Sequence, residues 1–385
     1  MGSSTPRRFV SFILDRSLLL VAGTILALGW ANTSAASYAA FAHAAHFLVN
    51  DVGMVLFFGL ATKEIVEATL PGGALASLRE AAVPLLAAGA GMILPAGLYW
   101  SGAHALGHPE LARGWAIPCA TDIAFSYLVA RLVFPPRHPA IPFLLLLAVA
   151  DDALGLLVLA LFYPSGAVSP RLFVVLMVPA LAIAWGLRRR GVSRVWPYVL
   201  GAGPVSWLAL YLGGLHPALA LVPIVPFMRA GPRYHDLFDQ TAPRQTETLN
   251  VFARWWRVPV QIILFFFGLA NAGVPFSSIG PPTWLVMGAL VAGKPIGILL
   301  MTVLAVRAGL ARPVGMTYAD VLVVGITAGI GFTVALFFAT AAFPAGPALD
   351  AAKMGALLSF IAAPLAVGAA RIAGSTRRAR GRRRA

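Results

Sequence analysis

The chain has 385 residues, of which 59% are apolar and 11% carry a formal charge, and its mean hydropathy is +0.83. Soluble domains carry charge on roughly 25% of their residues, so this chain cannot cover a water-facing surface of its own size. Disorder, a disulfide scaffold and a cytosolic enzyme are excluded for the chain as a whole. Its natural solvent is lipid.

Apolar runs of about 20 residues, the length that crosses a bilayer, recur from end to end. Their centres fall near Val21, Leu56, Ala88, Phe125, Leu147, Val175, Leu200, Ala220, Phe266, Leu290, Val334 and Ile361. The fold class expected is an all-α integral membrane protein with about twelve transmembrane helices. The first run starts before Asp15-Arg16 and ends at Trp30, and Thr33-Ser34-Ala35-Ala36 after it resembles the end of a cleavable signal. Its length favours a retained first helix. Two of the twelve runs are interrupted: Pro118 and Asp122 fall inside the one around Phe125, and Gly325, Gly329 and Gly331 precede Val334.

The basic residues test this count. With the N-terminus cytoplasmic and twelve crossings, 25 of the 29 Lys and Arg side chains fall inside, as the positive-inside rule requires. They include Arg7, Arg8 and Arg16, Lys63 and Arg79, Arg131 and Arg137, and the cluster Arg188, Arg189, Arg190 and Arg194. Arg229, Arg233, Arg244, Arg254 and Arg257 follow, then Arg307 and Arg312, then seven arginines from Arg371 to Arg384. Only Arg113, Arg171 and Lys353 fall outside, and Lys294 lies in mid-helix. Both termini are therefore expected in the cytoplasm. The formal charge of +15 does not point to nucleic acid, because the Arg-rich tail, 375–385, has no interleaved aromatics for base stacking. It suits anionic lipid headgroups.

Cys119 is the lone cysteine and cannot form an internal disulfide. His43/His46 and His104/His108 stand at helical spacing and could in principle hold a metal. The second pair lies in a Gly/Pro-containing connection, and both pairs read as interfacial.

An ionisable group at bilayer depth costs at least about 2.5 kcal/mol and is a functional candidate by default. Asp51, Asp122, Asp151, Asp152 and Lys294 are such groups. Buried ion pairs that only fix helix register are the structural alternative, and for Asp51, near a helix start, the two readings weigh equally. Adjacent Asp151-Asp152 is more telling, because two neighbouring carboxylates repel and need a cation or a proton to share their site. Deprotonated, the same oxygens are hard ligands for a small hard cation. If proton and cation exclude each other there, and the site opens to one side at a time, exchange is obligatory. A mid-helix lysine then acts as the resident counter-charge. Pro118-Cys119-Ala120-Thr121-Asp122 and Gly325 to Thr333 are two broken helices, which point to the binding site of an inverted-repeat transporter. The positive N-terminal ends of the half-helices would favour Asp122, and the negative C-terminal ends a cation such as Lys294.

Seven segments in order along the chain carry a family resemblance. They are Gly114-Trp115-Ala116-Ile117-Pro118, Ala120-Thr121-Asp122-Ile123-Ala124-Phe125 and Ala150-Asp151-Asp152-Ala153-Leu154-Gly155, then Leu215-His216-Pro217-Ala218 and Ala270-Asn271-Ala272-Gly273-Val274. Gly293-Lys294-Pro295-Ile296-Gly297 and Gly329-Ile330-Gly331-Phe332-Thr333 complete the set. Together they resemble the NhaA family of sodium–proton antiporters over nearly the whole chain. The resemblance implies that Asp152 is the principal cation ligand, that Asp151 is its proton-carrying neighbour, and that Lys294 pairs with Asp151 when no cation is bound. It places Thr121 and Asp122 at the crossing of the interrupted helices, with Gly329 and Gly331 in the second of them. Asp51 and His216 become supporting residues, His216 being matched equally by a packed histidine that caps a helix. It implies electrogenic exchange of Na⁺ or Li⁺ for more than one proton, with no resident cofactor.

The chain departs from the family pattern after the second helix. Gly59-Leu60-Ala61-Thr62-Lys63-Glu64-Ile65-Val66-Glu67 stands where Gly-Leu-Glu and a basic pair are usual, and Asn250 stands where an acidic funnel residue is often seen. The pH profile is therefore expected to differ. The transmembrane domain is expected over 1–374, with core repeats at about 80–165 and 283–374 and panel helices at about 12–75 and 172–276. Homodimerisation through the panel, a bacterial inner-membrane location and a role in pH homeostasis complete the expectation. A sodium-coupled organic-anion symporter on the same architecture ranks below antiport. An intramembrane aspartyl protease using Asp122 and Asp152 lacks its Gly-x-Gly-Asp signature, and Lys294 in the pathway disfavours a passive channel.

Overall fold

The computed structural model describes residues 18–230 and 247–374, without the side chains of 78–80. Arg7, Arg8, Asp15, Arg16, Arg233, Arg244, Thr246, the tail 375–385 and the Arg79 side chain lie outside the described residues. Among the described residues the chain is helical, with no strand. In chain order the helices are α1 Leu18–Thr33, α2 Ala35–Thr69, α3 Leu78–Ala105 and α4 Ile123–Val133. Then come α5 Ala140–Phe162, α6 Pro170–Arg189, α7 Gly203–Leu212 and α8 Thr248–Asn271. The last four are α9 Pro281–Arg307, α10 Tyr318–Ala328, α11 Phe332–Ala342 and α12 Pro347–Ile372.

Seven of these (α2, α3, α5, α6, α8, α9 and α12) are long and apolar enough to cross a membrane, and α10 with α11, bent by 51°, makes up to eight. Twelve spans are not confirmed by this measure, and each remaining run has a local reason. α1 has 16 described residues. The run around Phe125 is divided among 3₁₀ turns at Pro109–Gly114 and Ile117–Cys119 and the short α4. The run around Leu200 is a π-helical turn, Pro197–Ala202, leading into α7. Around Ala220 the chain is a string of turns between 3₁₀ segments Pro217–Leu219 and Val225–Phe227. Proline at 217, 223 and 226 removes the amide donors that a continuous helix would need there.

Helix starts follow their sequence signals. Asp122 caps α4, Thr317 and Asp320 form a capping box ahead of α10, and α6, α9 and α12 each begin with proline in the first turn. Gly309, at φ +95°, ends α9 in the left-handed conformation that glycine adopts without strain.

The packing puts the broken elements inside. α3 runs along α9 and also touches α5, while α10 lies between α9 and α12. The order long helix, broken element, long helix therefore occurs twice, as α3–α4–α5 and as α9–α10/α11–α12. α6 packs on α7 and buries little else. Leu172, Val174, Val175 and Val178 on α6 are exposed, as a lipid-facing helix requires.

α1 and α8 approach through glycine. A Cβ at Gly23 would strike the Phe265 carbonyl oxygen, and one at Gly268 would lie 2.8 Å from the Leu20 carbonyl oxygen. Small residues that let backbones meet are the usual device of membrane helix pairs. Gly23→Val is therefore expected to destabilise the protein by about 1–3 kcal/mol through overpacking, read as a lower melting temperature in detergent, whereas Gly29→Ala, where nothing lies within 4 Å, should leave it unchanged.

Candidate functional site

The site begins where two helices break beside one another. Asp122 N–H donates to the Ile330 carbonyl at 2.8 Å, joining the non-helical links of α4 and of α10/α11. The Asp122 carboxylate then caps both following helices. Its Oδ1 accepts from Phe125 N–H at 3.3 Å at the start of α4, and its Oδ2 accepts from Thr333 N–H at 3.1 Å at the start of α11. The Thr333 hydroxyl also donates to Asp122 Oδ2. One negative charge thus meets two helix N-termini, where unsatisfied amides and the helix dipole both favour an anion.

The opposite ends, rich in free carbonyls, receive donors. Lys294 Nζ donates to the Cys119 carbonyl at 2.6 Å, closing the 3₁₀ segment before the break. Ser126 Oγ donates to the Thr327 carbonyl at 2.9 Å, and Thr121 Oγ1 lies 3.1 Å from the Ala328 carbonyl at the end of α10. Gly329 and Gly331 keep this region thin: a Cβ on Gly329 would lie 2.7 Å from the Leu290 carbonyl oxygen, and one on Gly331 would lie 2.9 Å from Leu290 Cδ2.

Lys294 also reaches Asp151, with Nζ 2.7 Å from Oδ2, and both side chains are fully buried. Thr121 Oγ1 donates to the same Oδ2 at 2.7 Å, while Asp151 Oδ1 is buried without a hydrogen-bond partner among the described residues. A π-helical turn, Ala289–Gly293, immediately precedes Lys294 in α9, and such bulges recur at functional positions. Asp152, the next residue on α5, makes no hydrogen bond or ion pair among the described residues. It is partly exposed to a cavity of about 10 Å³ walled by Phe57, Phe58, Ala61, Ala120, Leu156 and Phe338. That is room for one water or one bare ion. The structure thus brings together Thr121, Asp122, Asp151, Lys294, Gly329 and Gly331, with Asp152 at their edge.

Asp51 and His216 lie apart from this group. Asp51 sits within α2, in a π-helical turn, Phe47–Gly53, rather than at a helix start. His216 Nδ1 is 3.8 Å from Asp51 Oδ1, and Trp207 Nε1 donates to the Asp51 carbonyl at 2.8 Å. His216 makes no side-chain cap to the turn that follows it. Its ring lies 4.8 Å from that of Phe337, which meets Phe58 at 4.9 Å, so aromatic rings separate Asp51 from the Asp152 cavity.

Several polar contacts had no separate sequence signal. Ser126 reads as an ordinary helix residue, and Thr333 stands in the broken Gly325–Thr333 segment without a role of its own. Asn50 and Asn271 exchange side-chain hydrogen bonds of 3.0 and 2.8 Å in the buried contact of α2 with α8. Lys63 and Glu67 form a buried pair at 2.7 Å, with Glu64 Oε1 at 3.2 Å from the same ammonium. Lys353, expected at the outer surface, is instead buried in α12. Among the described residues no group of three or more His, Cys, Asp or Glu could hold a metal ion. His104 contacts the Trp100 carbonyl within its own helix, and His108 pairs with Glu110 at 3.0 Å.

Comparison with known proteins decides the family. The family model described as Na+/H+ antiporter 1 matches residues 7–370. The chain belongs to this family. The chain is 46% identical over 381 residues to the Na(+)/H(+) antiporter NhaA of Desulfitobacterium hafniense (strain DSM 10664 / DCB-2), covering 96% of this chain and 97% of that one. It is 46% identical over 375 residues to the Na(+)/H(+) antiporter NhaA of Geobacter metallireducens, covering 95% and 98%. With that of Jannaschia sp. it shares 44% identity over 407 residues, covering 94% and 96%. Membership makes the chain a multi-pass membrane transporter rather than an enzyme.

Two substitutions test the energetics of this cluster. Lys294→Ala would leave Asp151 buried without its counter-charge, so a loss of about 3–5 kcal/mol is expected, measured as a reduced melting temperature in detergent. Asp122→Ala removes the acceptor shared by α4 and α11. It should cost more than Asp122→Asn, which keeps one acceptor oxygen, by about 1–3 kcal/mol for the additional buried donors left unsatisfied.

Proposed function

We propose that the protein exchanges Na⁺, or Li⁺, for protons across the membrane, with both ions competing for Asp151 and Asp152. The observation that carries this reading is the unequal pair on α5: Asp151 is held by Lys294 and Thr121, while Asp152 is unpartnered beside an ion-sized cavity. Two adjacent carboxylates in a dry site need a proton or a cation to coexist. A hard cation entering at Asp152 would recruit Asp151 as a second ligand and displace its proton or its lysine. Lys294 keeps the Cys119 carbonyl as a partner while it releases the carboxylate. Each occupant excludes the other, and a site open to one side at a time makes the exchange obligatory.

The cavity at Asp152 suits a bare ion better than an organic anion, which supports antiport over symport. The similarity to relatives named Na(+)/H(+) antiporter supports the same choice. In this reading residues of about 80–165 and 283–374 form the moving core, and those of about 12–75 and 172–276 form the panel against which it moves. Asp122 offsets the helix-end charge, Asp51 lines the outer approach, and His216 supports it from within. The chain would sit in a bacterial inner membrane with both termini in the cytoplasm, as a homodimer contacting anionic lipid through its Arg-rich tail. It would serve pH homeostasis by electrogenic exchange.

The test is the collapse of a preformed ΔpH in proteoliposomes on adding Na⁺, Li⁺ or K⁺, scanned across pH 6.5–9 on the scale of the carboxylate competition. Wild type is expected to respond to Na⁺ and Li⁺, with an apparent Na⁺ affinity that falls as the medium is acidified, and Asp152→Asn should respond to neither. Full exchange by Asp152→Asn would remove Asp152 as ligand, and a folded wild type deaf to all three cations would turn the search to organic anions.

A further inference from the structure

A second cavity lies well away from the carboxylate pair. It has a volume of about 560 Å³ and opens among α1, the starts of α2 and α12 and the ends of α8 and α11. This is the end of the bundle away from Arg254 and Arg257 on α8 and Arg371 on α12. Its polar lining is Tyr38, His43, His46, Asn271, Thr340, Asp350 and Lys353. Three of these are already engaged: Tyr38 Oη accepts from Gly273 N–H at 2.9 Å, the Asn271 amide is paired with Asn50, and Thr340 Oγ1 donates to the Phe337 carbonyl at 2.8 Å.

Lys353 is not engaged. It is only 8% exposed, and among the described residues its ammonium makes no hydrogen bond and no ion pair. Asp350, one turn earlier on α12, does not come within ion-pair distance of it. Asp350 attracts the ammonium only from beyond ion-pair distance, and Lys353 faces the cavity, so direct compensation of its charge must come from an anion or water held there. His43 and His46 add two ring nitrogens one helical turn apart on α2, and both line the same space. With the imidazoles neutral near pH 7, the lining carries one ammonium and one carboxylate, and each ring can present an N–H donor to an anion.

We propose that this cavity binds a small monovalent anion, a halide or a short-chain carboxylate, with Lys353 as its charged anchor and His43 and His46 as additional donors. The volume falls within the range of small-molecule sites. The cavity shares both histidines with a second opening that contains Asp51. A bound anion would therefore sit next to the approach to Asp51 and offset the positive field of Lys353 there. The site stands on its own cavity and does not depend on what passes Asp152.

The test uses the full chain purified in detergent, in choline sulfate at fixed pH and ionic strength, titrated separately with choline chloride and choline acetate. A saturable rise in melting temperature of about 2–4 °C is expected for at least one of them, by ligand linkage. Response to chloride alone assigns a halide site, and response to acetate alone a carboxylate site. The rise should vanish in Lys353→Gln and persist in Lys353→Arg. If Lys353→Gln does not fold, His46→Gln serves in its place and should weaken the titration midpoint several-fold. A wild type insensitive to both anions would overturn the proposal and leave water as the occupant. So would an identical response in wild type and Lys353→Gln.

Discussion

A helix broken inside lipid leaves amides and carbonyls where no water can reach them, and this protein breaks two helices at the same depth. The rest of the site follows from how those ends are satisfied. Asp122 takes two N-termini at once, and Ser126 and Lys294 take carbonyls on the other side. The polar residues at the crossing are therefore required for the fold before they serve any transport. In the proposed exchange the same economy would let Lys294 release Asp151 without becoming an orphan, since the Cys119 carbonyl remains at 2.6 Å.

Charge arithmetic at the crossing sets the chemistry. Asp122, Asp151 and Asp152 face one buried cation, Lys294. Asp122 is offset by two helix ends and Asp151 by the lysine, which leaves Asp152 as the group whose charge depends on what arrives. In the proposed exchange, one uncompensated carboxylate beside a compensated one lets either occupant, proton or cation, remove the same deficit.

Much of this was legible in the sequence, for a physical reason. Charged side chains are so costly in an apolar run that Asp122, Asp151, Asp152 and Lys294 stand out singly, and Pro118, Gly329 and Gly331 mark where a helix cannot continue. Ser126 and Thr333 gave no such signal, because a hydroxyl in a membrane helix ordinarily returns its hydrogen bond to the preceding turn, as Thr62 and Thr302 do here. The Asn50–Asn271 contact joins residues 221 positions apart, and nothing local selects either partner. Lys353 was misplaced because a lysine near a helix start reads as a surface residue until the neighbouring helices close over it. The run around Ala220 is apolar enough for a span, yet its three prolines leave a chain of turns in place of a helix.

The Asn50–Asn271 pair has a consequence of a different kind. Amides neither gain nor lose a proton across the pH range in which carboxylates and imidazoles change state. The contact of α2 with α8 beside Asp51 is thus held by a joint that acid and alkali leave alike. Titration at Asp51, His216 or the α5 carboxylates can alter forces around this joint without loosening it. In mechanical terms it is a fixed bearing set among parts whose charge is designed to vary.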